Sequence, residues 1–213
     1  MSDRLRQSIP AILQTVDRYY SDKLRRFGPT ARGVDWNSTE SQELRFAQLL
    51  TIVPGDDQVS LNDYGCGYAA LLDYLRARGR DWDYRGFDVS AEMIEAASAR
   101  HGNTASASFT SQSDVLKPAD YTVASGIFNV KQSEPQDLWR EYVEDTLQTL
   151  DGLSVRGFAF NMLSTYSDVE KRRDGLFYED PLRMFDHCKR RFSRQVALLH
   201  DYPLYEFTVI VRK

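Results

Sequence analysis

Apolar residues at Ile9, Leu13, Val16, Tyr20 and Phe27 recur at mostly helical spacing. They predict an amphipathic helix over 9–27, with Pro10 in its first turn and Gly28-Pro29 at its end. A second helix carries Phe46, Leu49, Leu50 and Val53 on one face and stops at Pro54-Gly55. Asn37 with Glu40, or Thr39 with Gln42, fits its cap. Strands are then expected at 59–64, 83–88, 105–110, 121–126 and 157–162. Helices separate them at 68–78, at a segment opened by Ser90 and carrying Met93, Ile94 and Ala97, and at 136–150. A long segment, 164–179, leads to a helix capped by Asp180 with Pro181 at its first position. Two strand-like runs, 195–199 and 205–212, close the chain with a short connection between them. Strands alternating with helices imply a mostly parallel sheet covered on both faces. Ligands of such sheets bind beyond the carboxyl ends of the strands.

At 213 residues the chain suits one domain with a full-sized core. Hydrophobic residues at 42% and charged residues at 27% are ordinary for a globular protein. A formal net charge of -4 argues against a broad nucleic-acid-binding surface. Two cysteines, Cys66 and Cys188, make no disulfide framework, and no His/Cys/Asp/Glu spacing reads as a metal site. The first residues lack the apolar core of a signal peptide, and no run reaches membrane-spanning length. A cytoplasmic protein is expected, for which the sequon Asn37-Ser38-Thr39 carries no weight.

The chemistry concentrates in Asn62-Asp63-Tyr64-Gly65-Cys66-Gly67-Tyr68-Ala69-Ala70, which reads as strand end, glycine turn and helix start. About twenty residues on, Asp88 closes the second strand. Glycines let the backbone approach a ligand, and a carboxylate at that later position accepts hydrogen bonds from ribose hydroxyls. An adenosine-containing cofactor is expected. Gly65-x-Gly67-x-x-Ala70 formally fits a dinucleotide fingerprint, but Asp63 would repel a pyrophosphate. Asp-x-Gly-x-Gly followed by the ribose acid resembles the class I S-adenosylmethionine-dependent methyltransferases. The resemblance extends through 121–130, similar to that family's fourth strand and following loop, through 157–163, and through the terminal strand pair. It covers roughly Val59 to Lys213. It implies a seven-stranded α/β sheet with helices on both faces, six strands parallel and the last antiparallel. Residues 1–57 would form a helical cap on a Rossmann-like core at 58–213. Asn62 and Tyr64 are mild departures from the family pattern.

The resemblance also implies site roles. Asp63, Gly65, Cys66 and Gly67 would pass the methionine part of the cofactor, with Asp63 near its amino group. Asp88, Val89 and Met93 would meet the ribose and its surroundings, although Asp88 also suits a helix-capping acid. Asp114 is a candidate for the adenine amino group, or a solvated loop acid. Ser125 and Gly126 would border the cofactor beyond the fourth strand. Arg45 could pair with the cofactor carboxylate; the other reading pairs it with Glu43 or Asp56. Trp36 could close over the ligands or anchor its loop. Cys66 reads as a small turn residue rather than a nucleophile.

Asn129 is the leading acceptor-site residue, its amide able to orient a heteroatom at the methyl. Tyr166, Phe177 and Tyr178 could wall the pocket, with Tyr178 placed in the site, and Tyr19 and Tyr20 could cap it. His200, beside Asp201, is a candidate base, against the reading of an edge hairpin loop. His101 and His187 read as surface helix residues. The clusters Lys171-Arg172-Arg173 and Lys189-Arg190-Arg191 read as solvated faces, with room for an anionic substrate. The expected activity is methyl transfer to a heteroatom of a small-molecule acceptor, and oligomeric state is left open. Alternatives are an RNA or protein methyltransferase and an NAD(P)-dependent oxidoreductase.

Overall fold

The structure, a computed structural model, describes residues 2–55, 58–102 and 104–213. Asp56, one expected partner for Arg45, and Asp57, at the expected cap boundary, lie outside the described residues.

Helix α1 (Asp3–Phe27) begins earlier than its apolar spacing predicts, because the Ser2 hydroxyl accepts from the Leu5 backbone and caps it. Pro10 therefore sits inside the helix, not in its first turn. Its exposed side keeps the ring out of the packed face, which Leu5 and Ile12 bury. Gly28 ends the helix at φ +67°. Helix α2 (Thr39–Leu50) is capped by Ser38, neither Asn37 nor Thr39. Ser38 and Ser41 bond reciprocally to each other's backbone N–H groups at 3.2 and 3.3 Å, a capping box with serine at both ends.

The α/β core follows the expected order: β1 (Ser60–Tyr64), α3 (Ala70–Arg76), β2 (Asp83–Phe87), α4 (Ala91–His101), β3 (Ala107–Thr110), β4 (Ala119–Ala124), α5 (Gln136–Gly152), β5 (Ser154–Leu163), α6 (Pro181–Arg191), β6 (Gln195–Leu199) and β7 (Glu206–Arg212). The seven strands form one sheet in the order β3-β2-β1-β4-β5-β7-β6. β7 runs antiparallel to both neighbours and the other six strands share one direction. Ser90 and Asp180 cap α4 and α6 as their spacing predicts.

Alternation along the strands divides the core. Phe158, Phe160 and Met162 of β5 face a cluster with α1, α5 and α6, including Leu5, Trp139, Val143 and Met184. Ala159 between them faces the opposite cluster, where Phe46, Leu49, Leu71 and Leu75 come from α2 and α3. Buried Asn62 replaces an apolar residue because its amide donates to the carbonyls of Lys117 (2.9 Å) and Leu153 (3.3 Å). Strand order reverses between β1 and β4, which pair directly. The carboxyl ends of these two strands therefore open a crevice, where ligands of such sheets bind.

Candidate active site

A cavity lies in that crevice, enclosing about 800 Å³ of empty space with its solvent mouth included. Asp63, Gly65, Cys66 and Gly67 line one wall, Asp88, Val89 and Met93 a second, and Ser125 and Gly126 a third. Trp36, from the loop before α2, closes it. Arg45 and Asp114 are not among the lining residues; Asp114 is exposed on a 3-10 turn, Ser113–Val115.

The glycine turn is built for close approach. Gly65 has φ +85°, and a side chain there would meet Ile127 Cγ2 at 2.2 Å. Its N–H and that of Cys66 donate to the Phe87 carbonyl at 2.7 and 2.9 Å, locking the turn to the end of β2. Asp88 completes the lock, accepting from Gly67 N–H and Ser90 N–H, both at 2.9 Å. It thus braces the glycine turn against Ser90, the cap of α4, and is also a cavity residue. A carboxylate has about four lone-pair sites, so two such bonds leave acceptor capacity facing the cavity.

Burial pushes Asp88 up to about 6, against the lowering pull of the two backbone donors. Asp63 is buried on β1 and accepts from the Tyr84 hydroxyl. Burial raises it to about 7, with the Tyr84 bond pulling down and the Asp88 charge adding to the rise. Burial also lifts the Cys66 thiol well above its ordinary range, so the sulfur is an inert part of the turn. The Ser125 hydroxyl is buried without a hydrogen-bond partner at the cavity wall. The residues lining this cavity include two carboxylates and no lysine, arginine or histidine.

Val16, Tyr20, Val34, Gln42, Phe46, Tyr64, Ile127 and Tyr142 also line the cavity. Val16, Phe46 and Tyr142 share apolar helical spacing with ordinary core residues, so sequence does not set them apart. Tyr20 is one exception, having been placed as a capping aromatic.

A second cavity adjoins the first, sharing Tyr20, Val34, Trp36 and Gly126 with it. Asn129, Arg45, Glu206, Leu163, Leu176 and Arg173 surround it. Asn129 is buried, accepts from Leu163 N–H at 3.0 Å and donates weakly to Glu206 at 3.4 Å. It stands at the second cavity rather than the first. Arg45 clasps Glu206 through Nε and Nη2, both at 2.8 Å, and donates to the Ser41 carbonyl at 2.6 Å. This corrects the expected pairing with Glu43, which meets Arg78 instead. It also leaves the Arg45 fork engaged. Glu206 is the functional-looking residue that sequence reasoning missed. Its signal was an acid at the head of an apolar final strand.

Three expectations for the acceptor side are corrected by position. Tyr178 is half-buried outside both cavities, its hydroxyl accepting from Arg173 N–H at 3.1 Å. Phe177 is core and Tyr166 is exposed. His200 is exposed after β6, the outermost strand of the sheet, and contacts Tyr166 and Phe207. The edge position separates it from the β1–β4 crevice. His101 and His187 are half-buried rather than on the surface, each with an Nε2 that makes no hydrogen bond, although that of His101 lies 3.8 Å from Asp73. Among the described residues, no group of three His, Cys, Asp or Glu side chains is placed to hold a metal ion, and no helix is long and apolar enough to cross a membrane.

This fold recurs in solved methyltransferases. Magnesium protoporphyrin IX methyltransferase from Synechocystis PCC 6803, solved with bound SAH, is 12% identical, with 96% of this chain and 99% of that chain covered at a TM-score of 0.64. The N-methyltransferase NodS from Bradyrhizobium japonicum WM9, in complex with S-adenosyl-L-homocysteine, is 16% identical, with 92% and 97% covered at 0.62. The fold is that of the class I methyltransferases. No protein-family model matches the chain. A sequence relative, "Putative methyltransferase Rv1506c" of Mycobacterium tuberculosis (strain ATCC 25618 / H37Rv), is 54% identical over 164 residues, 77% of this chain and 99% of the relative. The chain belongs to the methyltransferase family that includes this mycobacterial protein.

Proposed function

We propose that the chain transfers a methyl group from S-adenosylmethionine to a heteroatom of a small-molecule acceptor. It would act as a single domain in which 1–57 cap the core at 58–213. The carrying observation is the charge of the first cavity, with two carboxylates and no basic side chain among its lining residues. A pyrophosphate-containing dinucleotide would meet repulsion there. S-adenosylmethionine carries a sulfonium and an ammonium against one carboxylate, so its net positive charge suits the lining.

In this reading Asp88 accepts from the ribose hydroxyls, and Asp63 stands by the ammonium. The unpartnered Ser125 hydroxyl donates to the methionine carboxylate, a role that Arg45 is too engaged to fill. Gly65, Cys66, Gly67, Val89, Met93, Gly126 and Trp36 supply shape. The acceptor enters from the second cavity, where Tyr20 and Asn129 bound its approach. The acceptor lone pair attacks the methyl in line with the methyl–sulfur bond. The carbon–heteroatom bond would form as the carbon–sulfur bond breaks, leaving S-adenosylhomocysteine, and a proton on the heteroatom would pass to solvent. Alignment and water exclusion supply the rate, so no strong base is required.

The second cavity, about 500 Å³ of empty space with its open mouth included, is of a size for a small acceptor. A macromolecular substrate has less support, because most of both basic clusters is tied within the chain. Lys171 meets Asp168 and Tyr205, Arg172 bonds the carbonyls of Thr165 and Ser167, and Arg190 pairs with Asp186. Calorimetry tests the cofactor. S-adenosylhomocysteine should bind and raise the melting temperature, while NADP should do neither. Tight NADP binding without a response to S-adenosylhomocysteine would overturn the reading.

A further inference from the structure

We infer that Arg173 forms an anion subsite in the second cavity, selecting acceptors that carry one carboxylate on an apolar body. The inference rests on the proposed methyl transfer only in calling the bound anion an acceptor. Four charged side chains line this cavity: Asp35, Arg45, Glu206 and Arg173. Arg45 and Glu206 neutralise each other at 2.8 Å. Asp35 holds Lys23 at 2.6 Å and accepts from Tyr19 at 2.6 Å. Arg173 is left. Among the described residues its guanidinium has no ion-pair or hydrogen-bond partner, and its charge offsets only a little of the rise that burial and Asp35 impose on the nearby Tyr19 hydroxyl. Arg173, an exposed residue at the edge of the cavity, therefore brings it one unpaired positive charge, which matches a monoanion.

The other two cations of its cluster are engaged elsewhere. Lys171 turns to Asp168 and the Tyr205 hydroxyl, and Arg172 folds back on the carbonyls of its own loop. The backbone of Arg173 is also held in place. Its carbonyl accepts from Leu176 N–H at 3.0 Å, and its N–H donates to Tyr178. The following residues are fastened to the loop after β4, with Lys131 and Gln132 N–H donating to the Gly175 carbonyl at 3.1 and 2.9 Å. Phe177 N–H donates to the Asn129 carbonyl at 2.8 Å. A planar guanidinium on a fixed backbone presents a fork that matches a carboxylate. Val34, Trp36, Val130 and Leu176 give the same cavity an apolar wall for the rest of the molecule.

Fluorine NMR titrations with 4-fluorobenzoate and its neutral amide, 4-fluorobenzamide, test this on the full chain with and without saturating S-adenosylhomocysteine. The carboxylate should bind at least several-fold more tightly than the amide. Arg173→Gln should weaken the carboxylate roughly tenfold, leave the amide unchanged, and leave S-adenosylhomocysteine affinity unchanged. Arg173→Lys should fall between. Equal binding of the two probes, no detectable carboxylate binding, or an Arg173→Gln variant that still prefers the carboxylate would each overturn the subsite. Loss of S-adenosylhomocysteine binding in the wild type would instead sink the cofactor reading, and carboxylate preference in the unliganded protein would still stand.

Discussion

Arg45 and Glu206 form a buried bidentate pair, Nε and Nη2 each 2.8 Å from a carboxylate oxygen, joining α2 to β7 across 161 positions of sequence. Glu206 also accepts from Asn161 Nδ2 at 3.1 Å, and Asn161 in turn accepts from Gly126 N–H at 2.6 Å. The pair thus reaches Gly126, which lines both cavities. It fixes the cap helix and the loop after β4 in one arrangement.

Removing one partner strands the other charge inside the protein. Glu206→Ala should cost about 3–5 kcal/mol of unfolding free energy, the range for breaking a buried pair. Replacing both with apolar residues, Arg45→Met with Glu206→Leu, should cost less than Glu206→Ala alone, because no charge is left unpaired. Urea unfolding of the three proteins measures this. A loss below about 1 kcal/mol for Glu206→Ala would mean that water reaches Arg45.

Asp88 carries the clearest cofactor prediction. Asp88→Ala removes the acceptor proposed for the ribose hydroxyls and also frees Gly67 N–H. Charge-assisted bonds contribute about 1.5–3 kcal/mol each, less what water recovers. Affinity for S-adenosylhomocysteine should fall at least roughly tenfold, with the circular dichroism spectrum retained. An unchanged dissociation constant would reduce Asp88 to a clamp on the glycine turn.

How far sequence reaches is clear from these two cases. Asp63, the glycine turn and Asp88 were legible because their geometry is local: each strand ends where its turn begins, and parallel pairing puts Asp63 beside Gly86. Arg45 was misread because its local acids were the visible candidates, while its true partner lies on the last strand. His200 was misread because a strand end was equated with the ligand edge, whereas strand order puts β6 at the margin. Ser38 is not legible as the cap because the usual box has an acid or amide at the third position, and here Ser41 supplies a hydroxyl in its place.

Asp63 gives a dependence on pH. Its carboxyl titrates near 7 in the fold and Asp88 near 6, against an ordinary value of 3.8. Each folded group keeps its proton where the unfolded chain has lost it. Their stabilising contribution is therefore full below about pH 4 and disappears as pH rises through 6 and 7. The melting temperature of unliganded Asp63→Asn, which can still accept from Tyr84, should fall less between pH 5 and 8 than that of the wild type. Identical slopes would show that Asp63 is already ionised in the fold. Affinity for S-adenosylhomocysteine should move the other way, tightening from pH 6 to 8 as Asp63 becomes an anion for the cofactor ammonium.

Trp36 offers a direct view of the site. Its ring packs on Gly126, where a side chain would meet Trp36 Cζ2 at 2.3 Å and Cη2 at 2.4 Å, and the Arg45 guanidinium lies 3.8 Å over the ring. Trp82 and Trp139 are buried and line neither cavity. S-adenosylhomocysteine should therefore change tryptophan fluorescence through Trp36 alone, and Trp36→Phe should abolish the change while calorimetry still detects binding. Gly126→Ala should push the indole off its seat, because φ is +74° and the contact leaves no room for a methyl. Cofactor affinity should fall with it, and the emission of the unliganded protein should shift. If Trp36→Phe keeps the full fluorescence response, the ligand sits elsewhere than the β1–β4 crevice.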